Sequence, residues 1–194
     1  MLITYFYPFD RPDLTDYMEA EFQFQRKKNN VVIHIIKGSK DKDESFRFLS
    51  QNDRVYIIAH GNTSVIGARR IGGKELNAFE LARILVKKKL PRDFVDLRIL
   101  SCDSAVSDKD NPAFAERLKK YMKDFGYHQL MVTGYLGKTV LQRDWRLKNI
   151  EEVSFWATPK KGIKPHENYI NLIKSPLGCD KSLYYAASDF KRTF

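Results

Sequence analysis

The chain has 194 residues, with 34 Lys and Arg against 24 Asp and Glu, for a formal net charge of +10. Hydrophobic residues make up 43% and aromatics 13%, which excludes a disordered chain and gives a single domain enough core to fold without disulfides or metals. Two cysteines, Cys102 and Cys179, cannot build a disulfide framework or a four-cysteine zinc site. No apolar run approaches the ~18 to 20 residues of a membrane span, and the start MLITYFYPFDRPD lacks the pattern of a secretory signal. A protein of a reducing compartment is the expectation.

Strand-like runs alternate with helical ones, the pattern of an α/β fold with a mostly parallel sheet. Residues 2–7 read as a strand. Residues 14–28 read as a helix, with Tyr17, Met18, Phe22 and Phe24 apolar and a basic C-terminal end that suits the helix dipole. Residues 31–36 read as an apolar, β-branched strand in which His34 is expected to be a satisfied core histidine, and RVYIIA (54–59) is another that stops at His60-Gly61. A turn-rich stretch around VIGARRIGG suggests a hairpin. Asn77 and Glu80 then have capping-box spacing before a helix over 78–88. DLRILS (96–101) is a strand that delivers Cys102 to its end. Asn111 is the expected cap, and Pro112 the first position, of a helix that carries Phe114, Leu118, Met122 and Phe125 on one face. QLMVTGYL (129–136) follows as a strand. After Gly137 the chain is β-rich, aromatic and basic, with apolar pieces at 152–156 and 169–173.

His60 and Cys102 stand out as a pair. Each ends an apolar strand, each precedes turn residues, and 42 positions separate them with a helix between, the length of one βαβ crossover. Such strands are parallel neighbours or lie one strand apart, so both side chains would reach the carboxyl edge of the sheet, where open α/β folds build their sites. A thiolate is a strong nucleophile, and a nearby imidazole can take its proton and return it to a leaving amine. The amide N–H groups of Gly61 and Cys102 are candidates for an oxyanion site. Taken singly, a strand-end cysteine such as Cys102 is more often a small buried hydrophobe, and a histidine before glycine such as His60 is more often a turn or core residue; the joint pattern is what raises the catalytic reading. Cys179 has no strand-end histidine beside it. No HExxH, paired-His or Cys/His spacing suggests a metal, and no phosphate-binding glycine loop is present.

The blocks VYIIAHG and LRILSCDS resemble the two signature blocks of clan CD cysteine peptidases, the caspase-like clan. The longer strings HGNTSVIGARRIGGKELNAFELARIL and LRILSCDSA, with the helix NPAFAERLKKYM, are most similar to the cysteine protease domains of MARTX and large clostridial toxins. The resemblance covers roughly residues 31–137. It implies a caspase-like three-layer α/β/α sandwich with a mostly parallel central sheet and a C-terminal β-rich flap. It divides the single domain into an α/β core (1–137), the flap (138–175) and a C-terminal tail (176–194). Cys102 would be the nucleophile and His60 the general acid/base, with Gly61 aiding the oxyanion site. Ser101 stands where the clan often has Ala or Gly, and a caspase QACRG string is absent, so no Asp specificity is implied.

The toxin-type domains are switched on by inositol hexakisphosphate. For that polyanion the candidates are Lys138, Arg143, Arg146, Lys148, Lys160 and Lys161, with Arg69 and Arg70, and also Arg26 and Lys27, as further contributors; converging cations, and Arg forks above all, suit a compact phosphate cluster. The expected protein is thus a bacterial toxin- or effector-type protease acting in a host cytosol on a protein substrate or on its own chain, without metal, nucleic-acid partner or membrane span. Two rivals remain: a non-enzymatic basic α/β module for nucleic acid or anionic lipid, supported by charge alone, and a cysteine acyltransferase on the same fold.

Overall fold

The computed structural model describes residues 1–9, 32–38, 44–67, 73–140, 172–174 and 184–194. β1 (Leu2–Tyr7), whose sequence LITYFY has no polar/apolar alternation, is buried on both faces, as an interior strand of a parallel sheet must be. β2 (Val32–Lys37) pairs with one side of β1 and β3 (Arg54–Ile58) with the other, both parallel. β4 (Ile66–Gly67) and β5 (Glu75–Leu76) form the expected hairpin after His60. β6 (Asp96–Leu100) and β7 (Met131–Tyr135) extend the sheet in parallel, and β11 (Lys191–Thr193) closes that edge antiparallel to β7. The order is β11-β7-β6-β3-β1-β2. The five parallel strands therefore run outward in both directions from the β1–β3 junction, the switch point at which such sheets open a crevice.

The protein is thus α/β with a mostly parallel six-stranded central sheet. Helix α1 (Ala78–Lys87) starts with the predicted capping box: Asn77 Oδ1 accepts from Glu80 N at 2.9 Å, and Glu80 Oε2 accepts from Asn77 N at 2.8 Å. It buries Ala78, Leu81, Ala82 and Leu85. Helix α2 (Phe114–Asp124) buries Phe114, Ala115, Leu118 and Met122. Both helices join Phe6, Val55, Ile57, Leu97, Ile99 and Val132 in one apolar core on one sheet face. The opposite face gathers Ile3, Tyr5, Tyr7, Ile58, Leu100 and Tyr135 beneath Ala187 and Phe190.

Three expectations are revised. Helix α2 begins at Phe114 with Ala113 as its cap residue and no side-chain cap; Asn111 instead donates its backbone N–H (2.8 Å) and its side-chain amide (3.1 Å) to Asp108 Oδ1, closing a turn before the helix. The end of the expected C-terminal tail is a structural strand, β11. His34 Nδ1 is buried without a hydrogen-bond partner, so it is not a satisfied core histidine, and its ring packs edge-on to Phe48. The helix expected over 14–28 and the strand expected over 152–156 lie outside the described residues. Of the flap, β8 (Lys138–Val140) pairs antiparallel with β9 (Leu172–Lys174), which pairs with β10 (Tyr184–Ala186). Among the described residues no helix is long and apolar enough to cross a membrane.

Candidate functional site

The register between β3 and β6 is constant from Arg54↔Asp96 to Ile58↔Leu100, an offset of 42 residues. That is also the interval from His60 to Cys102, so both stand two residues beyond the same final pair, at the carboxyl ends of adjacent parallel strands. Ala59 N–H still reaches the Leu100 carbonyl at 3.5 Å before the two chains turn away.

The turn after β3 is rigidly specified. The His60 carbonyl accepts from Gly67 N at 2.7 Å, and Asn62 N donates to the Val65 carbonyl at 3.0 Å. Asn62 Oδ1 accepts from Ser64 N (2.7 Å) and Val65 N (3.0 Å), an Asx turn that replaces missing backbone partners. From α2, Arg117 Nη2 donates to the carbonyls of Thr63 (2.9 Å) and Ser64 (3.0 Å). His60 itself is exposed, and Gly61 lies directly against Ser101. A Cβ on Gly61 would overlap Ser101 Oγ and come within 2.8 Å of the Val65 carbonyl, so glycine is a steric requirement of bringing the two strand ends together.

The turn after β6 is clasped to β7 and β8. Asp103 takes the left-handed conformation (φ 55°), which reverses the chain immediately after the cysteine. Its N–H donates to the Gly137 carbonyl at 2.8 Å, and Ala105 N–H donates to the Tyr135 carbonyl at 3.0 Å. Cys102 is a free, half-buried thiol whose Sγ lies 3.6 Å from Thr139 Oγ1 and 3.8 Å from the Thr139 carbonyl. The Ser104 hydroxyl is fully buried, donates to the Ile99 carbonyl at 2.9 Å and accepts from Tyr135 N at 3.0 Å. Gly134 in β7 makes room for this turn: a Cβ there would stand 2.9 Å from Ala105 N, the Ser104 carbonyl carbon and Ala115 Cβ. Ser101 Oγ is buried with no hydrogen-bond partner. Burial pushes the Asp103 carboxyl up from its ordinary pKa, against an opposing pull from the Lys138 ammonium.

Of the sequence candidates, the fold brings Cys102, His60, Gly61 and Lys138 to this edge; Lys138 is exposed as the first residue of β8, beside Thr139. Arg69, Arg70, Arg143, Arg146, Lys148, Lys160 and Lys161, and likewise Arg26, Lys27 and Cys179, lie outside the described residues. Asp53 and Asp96 sit at the opposite, amino ends of β3 and β6. Sequence reading did not find Thr139 or the bridging role of Ser104. Gly134 inside the apolar string MVTGYL was a usable signal, since a glycine within a strand marks close backbone approach. Among the described residues no group of three or more His, Cys, Asp or Glu is placed to hold a metal ion. No protein-family model matches the chain, and no curated protein does.

Proposed function

We propose that this chain is a caspase-like cysteine endopeptidase in which Cys102 and His60 form the catalytic dyad. The observation that carries the reading is the shared register: a thiol and an imidazole leave the adjacent parallel strands β3 and β6 at the same level, at the carboxyl edge of the sheet and next to the β1–β3 switch point. In the reaction the Cys102 thiolate attacks the peptide carbonyl carbon, and His60, having taken the thiol proton, delivers it to the leaving amine. Water then hydrolyses the thioester with His60 as general base. Gly61 and Cys102 N–H groups are the candidate donors to the oxyanion.

Activation by inositol hexakisphosphate belongs to the same proposal. Lys138 is exposed on β8, and the next residue, Thr139, touches the Cys102 thiol. A polyanion held by Lys138 would therefore act on the strand that abuts Cys102. An effector role inside a host cell, cutting a host protein or the chain itself, completes the reading.

The experiment is labelling by a Leu-bearing peptidyl acyloxymethyl ketone, with and without inositol hexakisphosphate, on wild type and Cys102→Ala. The expected result is a label confined to Cys102 that increases with the polyanion. Labelling indifferent to the polyanion keeps the protease and removes the switch. A Cys102 that never reacts sinks the catalytic reading.

A further inference from the structure

The β6–β7 register runs Asp96↔Met131, Leu97↔Val132, Arg98↔Thr133, and then stops. The hydrogen bonds that β7 sends to β6 recur every second residue in a parallel ladder. Met131 N–H donates to the Val95 carbonyl at 2.7 Å, an offset of 36 residues. The same offset would join Tyr135 N–H to the Ile99 carbonyl two rungs later. That the Leu100 carbonyl accepts from Ala59 on the β3 side agrees with this alternation, since it leaves the carbonyl of Ile99 facing β7.

The direct rung is replaced. Both of its ends land on the hydroxyl of Ser104, which accepts from Tyr135 N at 3.0 Å and donates to the Ile99 carbonyl at 2.9 Å. One hydroxyl thus uses its donor and an acceptor lone pair to stand in for a backbone bond. Two hydrogen bonds in series span more distance than one, so β6 and β7 are held apart at their carboxyl ends. The chain after Cys102 fills the gap: Ala105 N–H takes the Tyr135 carbonyl, and the Ser104 carbonyl accepts from Ala115 N at 2.9 Å in the first turn of α2. Gly134 leaves the room that this insertion needs.

We infer that Ser104 is a positioning residue: its hydroxyl wedges the sheet open and fixes the turn that presents Cys102. Its hydroxyl is fully buried and bonds to Ile99 and Tyr135, so it acts through the backbone on either side of the cysteine. A methyl group in its place would strand the Tyr135 N–H and leave the Ile99 carbonyl only the bond it accepts from Ser101 N at 2.9 Å, or let the two strands meet directly and expel the turn. The effect on catalysis rests on the peptidase reading above; the wedge itself does not.

The test compares full-length Ser104→Ala and Ser104→Thr with wild type by three readouts: circular dichroism, the pH dependence of Cys102 alkylation by iodoacetamide, and kcat and KM on a cleaved peptide. For folded Ser104→Ala the alkylation midpoint shifts, and kcat falls about 10²-fold, the effect of a nucleophile misplaced by about 1 Å, with KM little changed. Ser104→Thr, which keeps the hydroxyl, restores both. A folded Ser104→Ala with wild-type midpoint and kcat overturns the inference, and so does a defect that folded Ser104→Thr leaves in place. If Ser104→Ala does not fold, Ser104→Thr decides the matter, and its midpoint must equal that of wild type. Where the wild type cleaves no peptide, the peptidase reading fails, and alkylation still decides the role of Ser104.

Discussion

The two ends of the parallel sheet treat polar groups in opposite ways. At the amino ends, Asp53 accepts from Leu2 N (2.6 Å), Ser50 N (2.8 Å) and Ser50 Oγ (2.8 Å). Asp96 there accepts from Arg54 Nε at 2.7 Å and from Arg98 Nε and Nη2 at 2.9 and 3.1 Å. Burial pushes both carboxyls up, yet these hydrogen bonds outweigh it and hold each below its ordinary pKa. At the carboxyl ends the balance is reversed. Asp103 is raised by burial, its backbone is left-handed, and Ser101 Oγ is buried without a partner. One edge is built for stability. The other carries uncompensated polarity of the kind that folds retain where a site is assembled.

The hardest test of that division is Cys102→Ala. On the catalytic reading it removes the nucleophile, and peptidase activity falls by on the order of 10⁴-fold or more. Stability should change by no more than about 1 kcal/mol, because the half-buried thiol makes only long contacts. Activity assays paired with urea unfolding check both halves. A large loss of stability would show that the thiol is a core group and erase the contrast between the edges.

Gly61→Ala comes next. Its methyl would meet Ser101 Oγ, the Val65 carbonyl and Ile66 Cα, and two of these three are backbone that cannot rotate aside. Overpacking of this kind costs about 1–3 kcal/mol, and it should displace His60 from Cys102. Unfolding midpoints and the Cys102 alkylation rate are the measurements. Unchanged values in both would mean the strand ends are looser than their packing indicates.

Much of this contrast was legible in the sequence, for identifiable reasons. RVYII and DLRIL are short apolar runs closed by turn residues, so strand ends at His60 and Cys102 followed from periodicity. Their spacing equals the β3–β6 register because each stands two residues beyond the last pair, Ile58↔Leu100. Asn77 and Glu80 disclosed the start of α1 because a capping box is a local device. Contacts made between distant segments had no such signal. The Ser104 hydroxyl meets a carbonyl 5 residues before it and an N–H 31 residues after it. KRT at the end of the chain has no apolar run, and becomes a strand only because the edge of β7 offers it hydrogen bonds. Asn111 misled for the converse reason, since its local preference for capping lost to a turn with Asp108.

Asp96→Asn probes the amino edge. It weakens hydrogen bonds from two guanidiniums that are mostly shielded, with side chains 24% and 19% exposed, and should cost about 1–2 kcal/mol at neutral pH. A carboxyl depressed in the fold contributes stability above its unfolded value, near 3.8, and loses it as pH falls through the lower folded value. The wild type should therefore lose its advantage over Asp96→Asn as the pH is lowered below about 4. Thermal melts at neutral pH and near pH 3 measure this, and a gap that persists in acid would mean that shape rather than charge holds the two arginines.

The smallest expected effect has the opposite sign. Asp103 is raised in the fold, so its contribution is fully present below the unfolded value of 3.8 and is lost as pH rises through the folded value. Asp103→Asn removes the charge, and Asn is among the few residues that accept a positive φ. The variant should melt above wild type at pH 7 and level with it in acid. Activity is a separate axis: if, on the catalytic reading, it falls while stability rises, the carboxylate beside Cys102 serves substrate rather than fold. A variant that melts lower at pH 7 would mean that attraction to Lys138 exceeds the cost of burial, and that the carboxyl edge is compensated after all.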